Sequence, residues 1–127
     1  MKRPPAKGAI VGVQLAETPG VTWSAVHCGP RSADAFETRM HDMFAAERAR
    51  RGVDRLTEGE PTKEFLVEYQ AFADDVVAAY LAGVDGVEGL PPNDRKEAVA
   101  LYDYLRPAAQ AALINGLISS QRPRLDD

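Results

Sequence analysis

The side chains best suited to nucleophilic or metal chemistry are few, and two of them are adjacent in the sequence HCGP. A Cys–His pair can act as nucleophile and base when the side chains lie within hydrogen-bond reach, and both residue types bind zinc. His27 and Cys28 end a predicted strand, however, where neighbouring side chains point to opposite faces. Even together with His41 they supply only three of the four ligands of a structural zinc site, so a carboxylate would have to supply the fourth. We interpret His27 and Cys28 as strand-end packing and His41 as a surface residue.

The stretch GVDGVEGLPPND offers a second set of candidate ligands. Asp85 and Glu88 could give oxygens to a hard cation, but a calcium loop needs a dense series of such ligands. A phosphate loop places its glycines between a strand and a helix and adds a Lys and a Ser/Thr. Here Gly83, Gly86 and Gly89 follow a predicted helix, beside negative charges. We interpret them as a helix C-cap at Gly83 followed by turns, and we expect no metal at this loop.

The adjacent acids Asp74 and Asp75 are a third candidate site. Acid–base catalysis needs two carboxylates that converge in a cleft and differ in pKa. Neighbours on a helix diverge by about 100°, so these two do not converge. The sequence also contains no Gly-x-Ser-x-Gly, His-Glu-x-x-His or dinucleotide-binding motif. The sequence predicts a non-enzymatic protein with no catalytic, cofactor-binding or metal-binding residue.

Composition indicates one globular domain. The chain has 127 residues, of which 45% are hydrophobic, enough for a single core. Its longest apolar run is far shorter than the roughly 20 residues that span a bilayer, and the basic N-terminus is not followed by the apolar h-region of a secretory signal. The single cysteine cannot form an internal disulfide. These features predict a cytoplasmic protein of a reducing compartment, without a membrane partner.

The charges are unevenly distributed along the chain. Residues 58–103 contain three Lys or Arg against eleven Asp or Glu, in a chain of net charge −4. The only basic cluster, Arg48, Arg50, Arg51 and Arg55, lies where a helix is predicted to end, and cations there complement the helix dipole. This distribution does not favour nucleic acid as a partner.

A β-hairpin is predicted near the N-terminus. After a tail at 1–8, the apolar runs GAIVGVQL and VTWSAVHC, separated by the turn sequence AETPG, predict strands over 9–15 and 21–28. A lone hairpin is marginally stable in water and exposes unpaired edges. It therefore needs a helix or another subunit to cover it.

Helices are predicted over residues 32–119. The first begins at Ser32 as N-cap and ends at Gly52; the second begins at Pro61–Thr62 and ends at Gly83. A third begins at Asn93, Pro107 breaks it or starts a fourth, and 120–127 is a polar tail. The predicted fold is mainly α (α+β): one domain, residues 1–127, with an N-terminal β-hairpin followed by three or four packed helices.

The second helix carries the strongest apolar stripe, formed by Phe65, Tyr69, Phe72, Val76 and Tyr80. Such a stripe belongs more often to a core than to a binding face, and Phe65, Phe72, Val76 and Tyr80 are predicted to be buried. Tyrosines can also serve a partner-binding face, with acids at its rim. The candidate partner-binding residues are Tyr69, Tyr80, Tyr102, Tyr104, Asp74 and Asp75.

The order of these parts resembles a family. A short strand pair precedes RSADAFETRMHDMFAAERARRG, then TKEFLVEYQAFADDVVAAYLAGVDGVEG, then KEAVALYDYLRPAAQAALINGL. This order resembles the tail assembly chaperones of long-tailed bacteriophages and prophages. Those proteins typically have a Trp-x-Gly-Val turn with acids and glycines between helices; here the turn reads GVDGVEG, with Val84 in place of the aromatic residue.

The resemblance implies a non-enzymatic protein that binds the tape-measure protein, keeps it soluble, and is displaced as tail-tube subunits polymerise. It implies action in the host cytoplasm, and self-association is compatible with it. Two alternatives remain open: a virion structural component such as a head–tail connector or neck protein, which would stay in the finished particle, and an unrelated small adaptor. Location of the gene upstream of a very long reading frame would favour the chaperone.

Overall fold

Three strands and four helices make up the computed structural model, which describes residues 1–125. In chain order they are β1 (Ile10–Gln14), β2 (Thr22–Val26), α1 (Pro30–Arg51), α2 (Lys63–Tyr80), β3 (Leu81–Asp85), α3 (Arg95–Tyr104) and α4 (Pro107–Ser119). The strands form one antiparallel sheet in the order β1-β2-β3. The predicted α+β fold, an N-terminal hairpin followed by helices, is confirmed.

The third strand was not predicted from the sequence. Helix α2 ends at Tyr80 rather than at Gly83, and the chain passes directly into β3, which pairs with β2 through Trp23↔Val84 and Ser24↔Gly83. The buried side chains of Leu81 and Val84 add to the core beneath the sheet. The hairpin therefore gains its stabilising third strand from this chain, and β2 becomes the central strand.

The glycines of this stretch are needed for close approach and not for a helix cap. Gly83 lies in β3, and a Cβ at this position would be 2.7 Å from the Cα of Asn93, whose backbone crosses it. Gly86 has a positive φ of 93°, and a Cβ there would collide with the carbonyl oxygen of Gly20. The segment is thus a strand and a tightly packed turn, so the predicted C-cap at Gly83 is wrong.

Helix α1 begins three residues earlier than predicted, with its N-cap at Gly29 instead of Ser32. Pro30 occupies the first turn and Gly29 is the N-cap, without a capping side chain. Ser32 does not cap the helix, because its hydroxyl is 2.6 Å from the Tyr80 hydroxyl and forms a hydrogen bond with it. The predicted end of α1 at Gly52 is correct, because Gly52 is the C-cap and adopts the left-handed conformation with φ 64°.

The other helix starts follow local signals. The Thr62 hydroxyl accepts a hydrogen bond from the Phe65 amide at 3.2 Å, so Thr62, where α2 was predicted to begin, is its N-cap. Pro107 occupies the first position of α4, also as predicted. The N-cap of α3 is Asp94 and not Asn93, which instead has a positive φ of 62°.

The core lies between the sheet and the helices. Its largest fully buried side chains include Trp23 from β2, Phe72 and Tyr80 from α2, and Leu113 and Leu117 from α4. Burial of the α2 stripe is confirmed for Phe72, Val76 and Tyr80, whereas Phe65 is only half-buried. Phe65 and Tyr69 continue the aromatic contacts from Phe44 to Phe72.

The segment after α4 is more than a polar tail. Gln121 is fully buried, and Arg122 forms ion pairs with Asp34 and Glu37 of α1. The Leu125 carbonyl accepts a hydrogen bond from the Lys2 amide at 2.7 Å. The predicted polar tail at 120–127 is therefore in contact with the rest of the fold within residues 120–125, and its last two residues lie outside the described residues.

Candidate functional site

The structure does not bring the six predicted partner-binding residues together on one surface, although Asp74 and Tyr102 both line a groove between α2 and α3. Tyr80 and Tyr102 are buried, 0% and 3% exposed, so their rings belong to the core. Burial raises the pKa of both phenols, that of Tyr102 to about 12. Tyr69 is half-buried, and Tyr104, on α3, is 89% exposed. The apolar periodicity of α2 and α3 thus serves the core.

The two aspartates lie on the exposed side of α2 and take different partners. Asp75 accepts a hydrogen bond from Arg39 of α1 at 2.6 Å, which ties the two helices together. Asp74 accepts one from Gln70 at 2.9 Å, one turn earlier on its own helix. Asp74 and Asp75 therefore do not converge, as the divergence of about 100° between neighbouring residues of a helix predicts.

A groove lies between α1 and α2. Its volume is about 620 Å³, and it is lined by Ala35, Thr38, Arg39, Asp42 and Met43 of α1 and by Val67, Glu68 and Ala71 of α2. We call it the α1–α2 groove. Val67 is 70% exposed there, an unusual position for a large apolar side chain. Ala35 and Ala71 are exposed small residues that let another backbone approach closely.

The rim of the α1–α2 groove is acidic. The guanidinium of Arg39 is already bound to Asp75 and lies 5.6 Å from the centre of the Phe72 ring. Glu68 pairs with Arg50 at 3.1 Å, while Asp42 has no ion pair with any residue in 1–125. The uncompensated charge at the rim is therefore negative and favours a basic partner surface.

A buried carboxylate, Glu47, organises the connection between α1 and α2. Its oxygens accept hydrogen bonds from the Thr62 amide at 2.8 Å, the Thr62 hydroxyl at 2.5 Å and Arg50 at 3.1 Å. Burial alone would raise the pKa of Glu47, but the bonds from Thr62 and Arg50 outweigh it and hold the pKa below its usual value. Glu47 thereby fixes the residue that caps α2.

The arginine cluster is used within the chain. Arg50 binds Glu47 and Glu68, and Arg51 donates hydrogen bonds to the carbonyls of Leu56 and Glu58 in the loop after α1. These contacts support the interpretation of the cluster as a helix end and commit the guanidiniums of Arg50 and Arg51 to internal partners.

We expect the folded protein to lose stability in acid partly through Glu47. Because its folded pKa lies below the usual 4.5, its contribution is complete above pH 4.5 and is lost as the pH falls through the folded pKa. Urea midpoints measured between pH 7 and pH 3 should fall less steeply for Glu47→Gln than for the wild type. Glu88→Gln, at an exposed loop position, should retain the wild-type slope. Parallel curves for all three proteins would contradict a role for Glu47.

The remaining candidate ligands do not converge. His27 is buried, and its Nδ1 has no hydrogen-bond partner, whereas Cys28 is half-buried and its thiol lies 3.8 Å from the Val26 carbonyl oxygen. His41 is exposed, as predicted. Asp85 accepts a hydrogen bond from the Gly86 amide at 2.9 Å. Across residues 1–125 there is no cluster of three or more His, Cys, Asp or Glu side chains that could hold a metal ion.

Two important residues were missed by sequence reasoning. Glu47 lies in a charged run, ERARR, and Gln121 in a polar segment; neither has a local signal that would reveal burial. The α1–α2 groove was also missed, because it forms only when two helices separated by a polar connector pack together.

Comparison of the chain with protein-family models, with curated proteins and with solved structures gave no match. Among residues 1–125, no helix has both the length and the apolar character needed to cross a membrane.

Proposed function

We propose that this protein is a non-enzymatic binding protein that holds a partner helix in the α1–α2 groove, and specifically a phage tail assembly chaperone for the tape-measure protein. The observation that supports a binding role is the 70% exposure of Val67 beside a groove of about 620 Å³. The resemblance in the order of elements supports the choice of a phage tail protein. The proposed site of action is the host cytoplasm during tail assembly.

The shape of the α1–α2 groove suits an amphipathic helix. Val67 supplies an apolar contact in its lining, Ala35 and Ala71 leave room for a backbone, and Met43 is an adaptable neighbour. A partner helix would place apolar residues at i, i+3, i+4 and i+7 against this floor. Tape-measure proteins are long and helical, so they could present such stripes repeatedly.

Charge supports a partner with basic flanks. Asp42 and Glu68 border the groove, and residues 58–103 carry eleven acids against three basic residues. Acidic side chains at the rim would speed association with a basic helix and make its rate fall with salt. They would also keep the protein soluble while its groove is empty.

We expect Val67→Asp to weaken binding of the tape-measure protein roughly tenfold or more, because it places a charge on the apolar lining of the groove. Leu66→Asp is a matched control: Leu66 is the preceding residue of α2, is 54% exposed and does not line the groove. Binding would be measured by co-expression with the adjacent long reading frame, pull-down and titration. Both variants should keep the wild-type urea midpoint.

Three outcomes decide the proposal. If the long protein is equally soluble without this chain and no complex forms, the chaperone function is wrong. If Leu66→Asp weakens a complex as much as Val67→Asp does, the binding site is not the α1–α2 groove. If mass spectrometry finds the protein abundant in purified particles, it is a virion structural component instead.

A further inference from the structure

A second groove, of about 450 Å³, lies between α2 and α3 and shares no lining residue with the α1–α2 groove. We call it the α2–α3 groove. Because the two grooves are separate, an inference about this one does not depend on the proposed function. Its lining combines an apolar part with hydrogen-bond acceptors: the apolar residues are Val77, Ala78 and Val99, and the acceptors are Asp74, Tyr102 and Asp103.

The Tyr102 hydroxyl is a polar group without a partner inside the fold. The residue is only 3% exposed, and its ring belongs to the core. Its backbone carbonyl accepts a hydrogen bond from Gln110 at 3.0 Å, but no group within residues 1–125 forms a hydrogen bond with its hydroxyl. Buried phenols usually have such a partner. Among the same residues, the one unpaired side-chain atom sealed from solvent is Nδ1 of His27, so the Tyr102 hydroxyl opens into the groove.

Two carboxylates lie near this hydroxyl. Burial raises the pKa of the Tyr102 phenol to about 12, and the charges of Asp74 and Asp103 contribute to this rise. Because such charge effects fade with distance, both carboxylates must be close to the phenol. Asp74 is bonded to the neutral amide of Gln70 at 2.9 Å, and the Asp103 side chain has no ion pair or hydrogen bond in the described part of the chain. Neither negative charge is therefore compensated by a bound cation.

The basic residue of the α2–α3 groove lies at its other end. Arg95 donates a hydrogen bond to the Ala78 carbonyl oxygen. It precedes Tyr102 by seven residues of α3, about 10 Å along the helix axis, whereas Asp103 directly follows Tyr102. The groove is therefore negative at the Tyr102 end and positive at the Arg95 end, and Val99 lies between them on α3.

From this arrangement we propose that the α2–α3 groove binds a primary ammonium group carried on an alkyl chain. The nitrogen binds at Asp74, Tyr102 and Asp103, and the alkyl chain lies along Val99. An ammonium group has three N–H donors and no acceptor, so it matches a site made of two carboxylates and a hydroxyl oxygen. A metal ion fits this site less well, since residues 1–125 contain no cluster of three His, Cys, Asp or Glu side chains that could hold one.

The protonation state of Tyr102 suits this role. With its pKa raised to about 12, the phenol is neutral at pH 7, so its oxygen accepts a hydrogen bond while its proton can be donated to a carboxylate. Arg95 repels a second positive charge, which favours a ligand with one ammonium and an uncharged remainder. A lysine side chain of a partner, with its four-carbon stem, and a free monoamine share this chemistry.

The first test is titration of the full chain with n-butylamine at pH 7 and constant ionic strength, followed by NMR of the backbone amides. We expect saturable shifts of amides in α2 and α3 around the groove. Butan-1-ol, which has the same stem without the charge, should give none. Shifts that do not saturate with n-butylamine, or equal responses to both compounds, would overturn the proposal.

The second test uses two single-atom-scale changes in the site. Tyr102→Phe and Asp103→Asn should each raise the dissociation constant for n-butylamine roughly fivefold, because each weakens a hydrogen bond to a cation. Tyr102→Phe should keep the wild-type urea midpoint, since the hydroxyl has no hydrogen bond to lose. Tyr104→Phe is the matched control, because Tyr104 is exposed on the same helix and does not line the α2–α3 groove. Equal affinities for the two tyrosine variants would exclude the site.

The source of the ammonium is tested by repeating the titration with Nα-acetyl-lysine N-methylamide. Binding at least tenfold tighter than that of n-butylamine would identify a lysine side chain of a partner polypeptide as the ligand. Equal affinities would identify a free monoamine. Failure of both compounds to bind would overturn the ammonium site and leave the α1–α2 groove unaffected.

Discussion

Gln121→Leu is expected to lower the free energy of unfolding by about 2–6 kcal/mol. The Gln121 Oε1 accepts hydrogen bonds from the amides of Cys28 at 2.6 Å and Gly29 at 3.2 Å, at the junction of β2 and α1. Leucine fills a similar volume but leaves both amides without a partner, and each unsatisfied buried group costs about 1–3 kcal/mol. The side chain also donates to the Val26 carbonyl at 3.0 Å, a bond that leucine loses.

Urea unfolding at pH 7 measures the Gln121→Leu effect, with an unchanged m-value showing that the denatured state is unaffected. Gln70→Leu is the matched control, because Gln70 is exposed on α2 and its change should stay within about 0.5 kcal/mol. Gln121→Glu retains an acceptor oxygen, but it places a second oxygen against the Val26 and Leu117 carbonyls and buries a charge at pH 7, so it should also lower the urea midpoint. Equal midpoints for Gln121→Leu and Gln70→Leu would show that the Gln121 contacts do not stabilise the fold.

Local signals account for the parts of the fold that were predicted correctly. Three helix boundaries depend on the local preference of one residue each. They are the end of α1 at Gly52, the start of α2 at Thr62 and the start of α4 at Pro107. Such preferences act within a turn and are visible in sequence. The hairpin was equally visible, because its two apolar runs are separated by a turn sequence.

Strand β3 could not be predicted in this way. The run Val76–Val84 is continuously apolar, and no glycine, proline or polar residue marks the change from helix to strand at Tyr80–Leu81. Pairing with β2 decides the change, since it satisfies the backbone of Leu81–Asp85 and buries Val84. The contact of Gly83 with the Asn93 backbone is also tertiary, so its glycine was misread as a cap.

The candidate site was beyond sequence reasoning for a related reason. The aromatic periodicity of α2 correctly indicated a buried stripe. Tyr80 of α2 and Tyr102 of α3 were nevertheless assigned to a hypothetical partner face, although both are core residues. Val67 lies off that stripe, and it lines a groove only because α1 packs beside α2. Interaction surfaces made by residues of two helices depend on packing that a single periodicity does not encode.

Phe72→Ala is expected to lower the free energy of unfolding by about 3–5 kcal/mol, the usual cost of removing a fully buried phenylalanine side chain. Phe72 is 0% exposed, and its ring lies 6.0 Å from that of Phe36 and 6.1 Å from that of Tyr69, measured between ring centres. Alanine would leave a cavity between α1 and α2 and remove the ring beneath Arg39. Against a typical total stability of about 5–15 kcal/mol, this is a large fraction.

Phe65→Ala is the comparison for Phe72→Ala, because Phe65 lies on the same stripe but is only half-buried. Its urea midpoint should fall between those of Phe72→Ala and the wild type, since it loses less buried area and leaves a site open to water. Phe72→Leu, which fills most of the cavity, should recover part of the loss. Equal midpoints for Phe72→Ala and the wild type would mean that this stripe faces solvent and that α2 is packed against the sheet in another orientation.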